Sequence, residues 1–124
     1  MTERRRYARH RLAFPIRLDS KRKTGRIGMC RNGSISGLLL GTPSRFRLGE
    51  RLLLAFRVSE RHQQEKQLQG TIVRVEEDTP DSWFNRLVAV ELDAPDPELD
   101  ALFVAEARRQ ARTFGACESS PGVA

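Results

Sequence analysis

Two stretches of the chain carry residue types that could do chemistry. The first is Glu-Arg-Arg-Arg-Tyr-Ala-Arg-His-Arg, residues 3–11, with five arginines in nine positions. Guanidinium groups stay charged, present planar forks of donors that match phosphate oxygens two at a time, and stack on flat rings, nucleobases included. The bland counterpart is a solvated, disordered tail, since blocks of like charge repel. The second stretch is Asn32-Gly33-Ser34-Ile35-Ser36-Gly37. Its residues tolerate unusual backbone angles or bond to the nearby main chain, so the sequence predicts a tight turn between two strands, with Asn-Gly as an ordinary hairpin signal. The same residues could also serve a ligand. Asn32 and Ser34 offer short donors and acceptors, and Gly37 lets backbone come close to a flat group.

Charge is distributed to suit an anionic partner at the front of the molecule. Residues 1–31 hold eleven arginines and lysines against two acids, a net +9, while the rest of the chain holds eleven against fourteen acids. Such asymmetry fits a nucleotide, a nucleic acid or an acidic membrane surface without choosing among them. No apolar run approaches the roughly 20 residues that span a bilayer, and no signal-peptide pattern opens the sequence, so a cytoplasmic location is expected. Cys30, Cys117, His10 and His62 are scattered and lack metal-ligand spacing, so neither a metal site nor a disulfide is expected.

The elements that must position these stretches are short strands followed by one helix. Leu12, Phe14, Ile16 and Leu18 alternate, predicting a half-buried strand over 12–18, with Pro15 confining it to an edge or to a position away from the ladder. Further strands are expected over 26–31, with Ile27 and Met29 sharing a face; through Leu38, Leu39 and Leu40; over 51–58; over 67–75, with Gly70 a bulge or close approach; and over 83–92, with Val88, Val90 and Leu92 facing the core. Asp96 reads as a helix N-cap with Pro97 at the first helical position and Leu99, Leu102 and Phe103 as the packing stripe. The helix should run to about Thr113 and stop at Gly115, with Arg108, Arg109 and Arg112 complementing its C-terminal dipole. At 124 residues the chain fits one domain. The expected organisation is a flexible basic segment over 1–12, a barrel plus helix over 13–114 and a disordered tail over 115–124.

Together the two stretches resemble the PilZ family of bacterial cyclic di-GMP receptors. The family's first motif, Arg-x-x-x-Arg in an N-terminal segment, falls here on Arg5 and Arg9, and its second, Asp or Asn, x, Ser, x, x, Gly, falls on Asn32, Ser34 and Gly37. The resemblance implies an all-β fold, a six-stranded antiparallel barrel with a C-terminal α-helix packed on it. It further implies that Arg5 and Arg9 hold phosphate and guanine edge while Asn32, Ser34 and Gly37 cradle a guanine. Guanine's O6 and N7 accept the fork of donors that arginine offers. Arg4, directly before the first motif, accompanies in this family the binding of two intercalated cyclic di-GMP molecules. One position departs from the pattern. The residue after the Asn or Asp is usually aliphatic, and Gly33 here implies a looser loop and weaker binding.

The expected role is therefore a cyclic di-GMP receptor or adaptor acting on a downstream protein, with no cofactor. Two alternatives stand beside it: a PilZ-like interaction module that does not bind nucleotide, and a small basic barrel for nucleic acid. The last would need aromatic residues exposed for base stacking, and the six phenylalanines sit mostly at core positions. No nucleophile, base and orienting group can be named together, so an enzyme is not expected.

Overall fold

A computed structural model describes residues 10–57, 65–77 and 84–118. Arg4, Arg5, Arg9 and His62, all singled out in the sequence, lie outside the described residues, as do the last position of the expected strand 51–58 and the first of 83–92. Six strands form a closed antiparallel barrel: β1 (His10–Asp19), β2 (Arg26–Gly33), β3 (Gly37–Thr42), β4 (Arg51–Phe56), β5 (Lys66–Glu77) and β6 (Arg86–Leu92). Around the barrel their order is β1, β2, β3, β6, β5, β4, and a single helix, α1 (Pro97–Glu118), follows.

Period two in the sequence becomes inside and outside in the barrel. Leu12, Phe14, Ile16 and Leu18 of β1 are buried and their neighbours Arg11, Ala13, Pro15 and Arg17 are exposed. Pro15 has no donor to offer, and it falls outside the Arg17–Asp19 stretch that β4 pairs. On β2 the inward residues are Gly28, Cys30 and Gly33, so Ile27 and Met29 do share a face, but it is the outer one, and Ile27 is 51% exposed. Val88, Val90 and Leu92 of β6 complete the interior with Leu52, Leu54 and Phe56 of β4 and Ile72 of β5. Each such side chain contributes roughly 1.5–3 kcal/mol on burial. Gly70 is a close approach, because a Cβ there would lie 2.6 Å from the carbonyl oxygen of Glu91.

Helix α1 closes the barrel at the end where β1 begins. The Asp96 carboxylate accepts the N–H of Glu98 at 3.1 Å and its carbonyl accepts that of Leu99, the N-cap that the sequence predicts. Leu99 and Phe103 are fully buried, and the Phe103 ring lies 6.1 Å from Phe14, which in turn lies 5.1 Å from Phe56. Among the described residues β4 pairs β1 only from Arg17 onward, leaving the earlier part of β1 without a strand partner on that side. Gln110 of α1 fills that side, accepting the N–H of Ala13 and donating to its carbonyl, both at 3.1 Å, as a neighbouring strand would.

The helix departs from expectation at its far end. It continues to Glu118, past Gly115, which a helix interior tolerates at a cost of about 1 kcal/mol. Arg108, Arg109 and Arg112 therefore precede the last turn, which holds no basic residue, and do not serve its dipole. Arg109 instead neutralises Glu106, a carboxylate only 4% exposed, at 2.6 Å. A carboxylate so buried needs a cation and donors at hand, and Gln110 supplies another at 2.8 Å.

Candidate functional site

The turn between β2 and β3 is shorter than its composition suggests. Asn32 and Gly33 belong to β2, pairing with Leu39 and Leu38, and Gly37 opens β3, leaving only Ser34, Ile35 and Ser36 as the loop. Ser34 is 2% exposed and builds that loop: its N–H donates to the Gly37 carbonyl at 2.9 Å and its hydroxyl accepts the N–H of Ser36 at 3.2 Å. The loop carbonyls are also engaged. Ile35 accepts from Asp96 at the helix N-cap, and Ser36 accepts from Leu92.

The glycines of this motif are required for space. Neither Gly33 nor Gly37 has positive φ. At Gly37 a Cβ would sit 2.8 Å from the Val90 carbonyl oxygen, so the residue permits β3 and β6 to approach. At Gly33 it would lie 2.6 Å from Leu38 Cδ2 and 3.0 Å from Phe103 Cε2. Gly33 is therefore tightly packed: the volume an aliphatic side chain would take is occupied by the ring of helix α1.

Register across the barrel assembles a row of outward residues from five strands. Arg11 of β1 pairs with Asn32 of β2, Asn32 with Leu39 of β3, Leu39 with Ala89 of β6, and Ala89 with Arg74 of β5. Two bulges aim this row. Between Cys30 and Asn32 one extra residue turns Asn32 to the face opposite the buried Cys30, and between Ile72 and Arg74 another does the same for Arg74. At about 4.8 Å per strand, Asn32 and Arg74 stand roughly 14 Å apart.

A groove of about 470 Å³ lies over this row, lined by Asn32, Gly37, Leu39, Arg74, Ala89 and Glu91 among others. Ser36 lines it while Ser34 sits below, so of the second motif Asn32 and Gly37 reach the groove directly. Its floor is apolar, at Leu39 and Ala89, and its far wall carries the Arg74 guanidinium, 60% exposed and 3.1 Å from Glu76. Sequence reasoning missed Arg74, Ser36 and Glu91.

The described barrel begins at His10, beside the second motif. His10 is the Cα partner of Gly33, and Arg11 is that of Asn32. His10 Nε2 lies 3.2 Å from a carboxylate oxygen of Asp100 on the helix. Among the described residues no three His, Cys, Asp or Glu side chains could hold a metal ion. Burial pushes the Cys30 thiol up to about 12, partly offset by a backbone hydrogen bond at Asn32, so it stays protonated and unreactive.

The described residues form a closed antiparallel barrel capped by one helix, with a groove on its outer face. The PilZ domain profile matches residues 3–106, and the chain belongs to that family. Among solved structures it is similar to the PilZ domain of YcgR from Escherichia coli, which is described with c-di-GMP, at 12% identity and a TM-score of 0.73, covering 90% of this chain and 98% of that one. It is also similar to the inhibitor of motility MotI/DgrA of Bacillus subtilis, at 23% identity and a TM-score of 0.64 over 88% of this chain. The chain spans about half (52%) of MotI/DgrA. At these identities the likeness is one of fold. No curated protein matches in sequence. No helix among the described residues is long and apolar enough to cross a membrane.

Proposed function

We propose that the chain is a cyclic di-GMP receptor whose liganded face acts on a downstream protein. One observation carries this reading: register joins the root of the arginine segment to Asn32 at the mouth of a groove whose floor is apolar and whose opposite wall is Arg74. A guanine laid on Leu39 and Ala89 would meet Asn32 and Gly37 at one side, while Arg5 and Arg9 close over its phosphates and its O6 and N7 edge. Arg4 adds a guanidinium for a second, intercalated molecule, because two stacked ligands bring four phosphates together. The likeness to a YcgR domain described with the same nucleotide supports the reading.

Calorimetric titration with cyclic di-GMP tests it. Binding should be saturable and should fall by roughly tenfold or more in Arg5→Ala and in Arg9→Ala, since each removes charge-assisted bonds of about 1.5–3 kcal/mol. Thermal stability should stay unchanged. Wild-type protein that takes up no cyclic di-GMP, or mutants that bind as the wild type does, would refute the assignment. Gly33, as a loosening residue, mildly favours the reading as a module without nucleotide, and its packing beneath Phe103 argues against that looseness.

A further inference from the structure

Resting on that reading, we propose that Glu91 selects guanine in the groove, its two carboxylate oxygens accepting the N1–H and N2–H donors of the base's Watson–Crick edge. Glu91 is exposed on the outer face of β6, where its Cα partners are Gly37 on one side and Thr71 on the other. It lines the same groove as Asn32 and Arg74. It stands two residues along the strand from Ala89, about 7 Å. A base lying on Leu39 and Ala89 and a glutamate side chain span that distance between them.

Glu91 is distinguished by what it does not do. Of the other carboxylates on β5 or just after β6, Asp93 is held by Arg51, Glu76 by Arg74 and Glu77 by Arg86. Glu91 has no side-chain hydrogen bond or ion pair among the described residues. An unneutralised carboxylate beside a phosphate site weakens binding unless the ligand brings donors to it.

Guanine brings two donors. Its Watson–Crick edge shows N1–H and the exocyclic amino group side by side, which two carboxylate oxygens match and one carboxamide cannot, because Asn32 has a single acceptor oxygen and its nitrogen only donates. Adenine presents a bare N1 lone pair at that place, which a carboxylate repels. The groove thus divides the ligand: phosphates and the O6 and N7 edge face the arginines, and the Watson–Crick edge faces β6. Neither motif of the chain contains this residue.

The test is calorimetric titration of wild-type and Glu91→Gln protein with cyclic di-GMP and with cyclic di-AMP, with thermal melts to confirm that both proteins are folded. Glu91 is exposed, so the melts should coincide. In the mutant, cyclic di-GMP affinity should fall by about tenfold. Cyclic di-AMP affinity should stay the same or rise, so the preference for guanine narrows. If Glu91 is only a charge near phosphates, removing it strengthens both ligands together. That result, or unchanged discrimination, overturns the inference while leaving the receptor reading in place. A wild-type chain that binds no cyclic di-GMP removes both.

Discussion

Replacing Gly33 with valine sets two accounts of the second motif against each other. If the glycine loosens the loop, an aliphatic residue should firm it at no cost to stability. The packing says otherwise. A Cβ at Gly33 would already lie 2.6 Å from Leu38 and 3.0 Å from Phe103, and these side chains are 1% and 0% exposed, with little room to retreat. Overpacking of this kind costs about 1–3 kcal/mol. Since Gly33 has no positive φ, a side chain also reduces the freedom of the unfolded chain, which returns about 0.4–1 kcal/mol. The net loss for Gly33→Val should be about 1–2 kcal/mol, or roughly 4–8 °C in Tm for a domain of this size. Denaturant unfolding of Gly33→Val, Phe103→Leu and the double mutant measures it. A leucine in place of the Phe103 ring vacates the space, so the cost of Gly33→Val should largely vanish in the Phe103→Leu background, a coupling of about 1 kcal/mol or more. A Gly33→Val protein as stable as wild type, or equally destabilised in both backgrounds, would refute the argument.

Gln110→Ala removes both bonds to Ala13 and should cost about 1–2 kcal/mol, with faster amide exchange at Ala13 than at the β1–β4 pairs; unchanged exchange would mean that β1 needs no help from the helix. Burial pushes the Glu50 carboxyl up, but bonds from the Ser20 hydroxyl, the Arg47 N–H and the Arg22 guanidinium outweigh it and hold the group below the usual glutamate range. Its contribution is therefore complete above the unfolded value near 4.5 and lost as pH falls through the lower folded one, so Glu50→Gln should flatten the acid limb of stability; an identical acid limb in the mutant would be the contrary result. Arg4→Leu should shift the saturating stoichiometry from two cyclic di-GMP per chain toward one with Arg5 and Arg9 intact, as read by native mass spectrometry, and a one-to-one wild-type complex would exclude the paired ligand.

The strands were legible because their hydrophobic pattern is local. Leu12 to Leu18 and Val88 to Leu92 alternate with little interruption, and a side chain every second residue can face only one way in a sheet. The helix start was legible for the same reason, Asp96 and Pro97 being adjacent signals. Its end was not. Gly115 ends a helix only if the chain turns left-handed there, and that choice is not encoded by the glycine alone. On β2 the shared face of Ile27 and Met29 was legible but not its side, because Gly28 and Cys30, the inward residues, carry little of the apolar weight that marks a core face.

The groove was only half legible, and the missing half is missing for a geometric reason. Asn32, Ser34 and Gly37 are close in sequence, so a motif can hold them, whereas Arg74 and Glu91 join them only when β3, β6 and β5 pair in one register. Strict alternation from the buried Ile72 would even turn Arg74 inward. It faces out because Val73 is the extra residue of a bulge, just as Arg31 is the extra residue that turns Asn32 out beyond Cys30. A bulge of this kind leaves little mark on composition, since its residues need no positive φ here. The proposed binding face of this barrel is therefore written partly in residue types, which a sequence displays, and partly in two single-residue offsets, which appear only once the strands have paired.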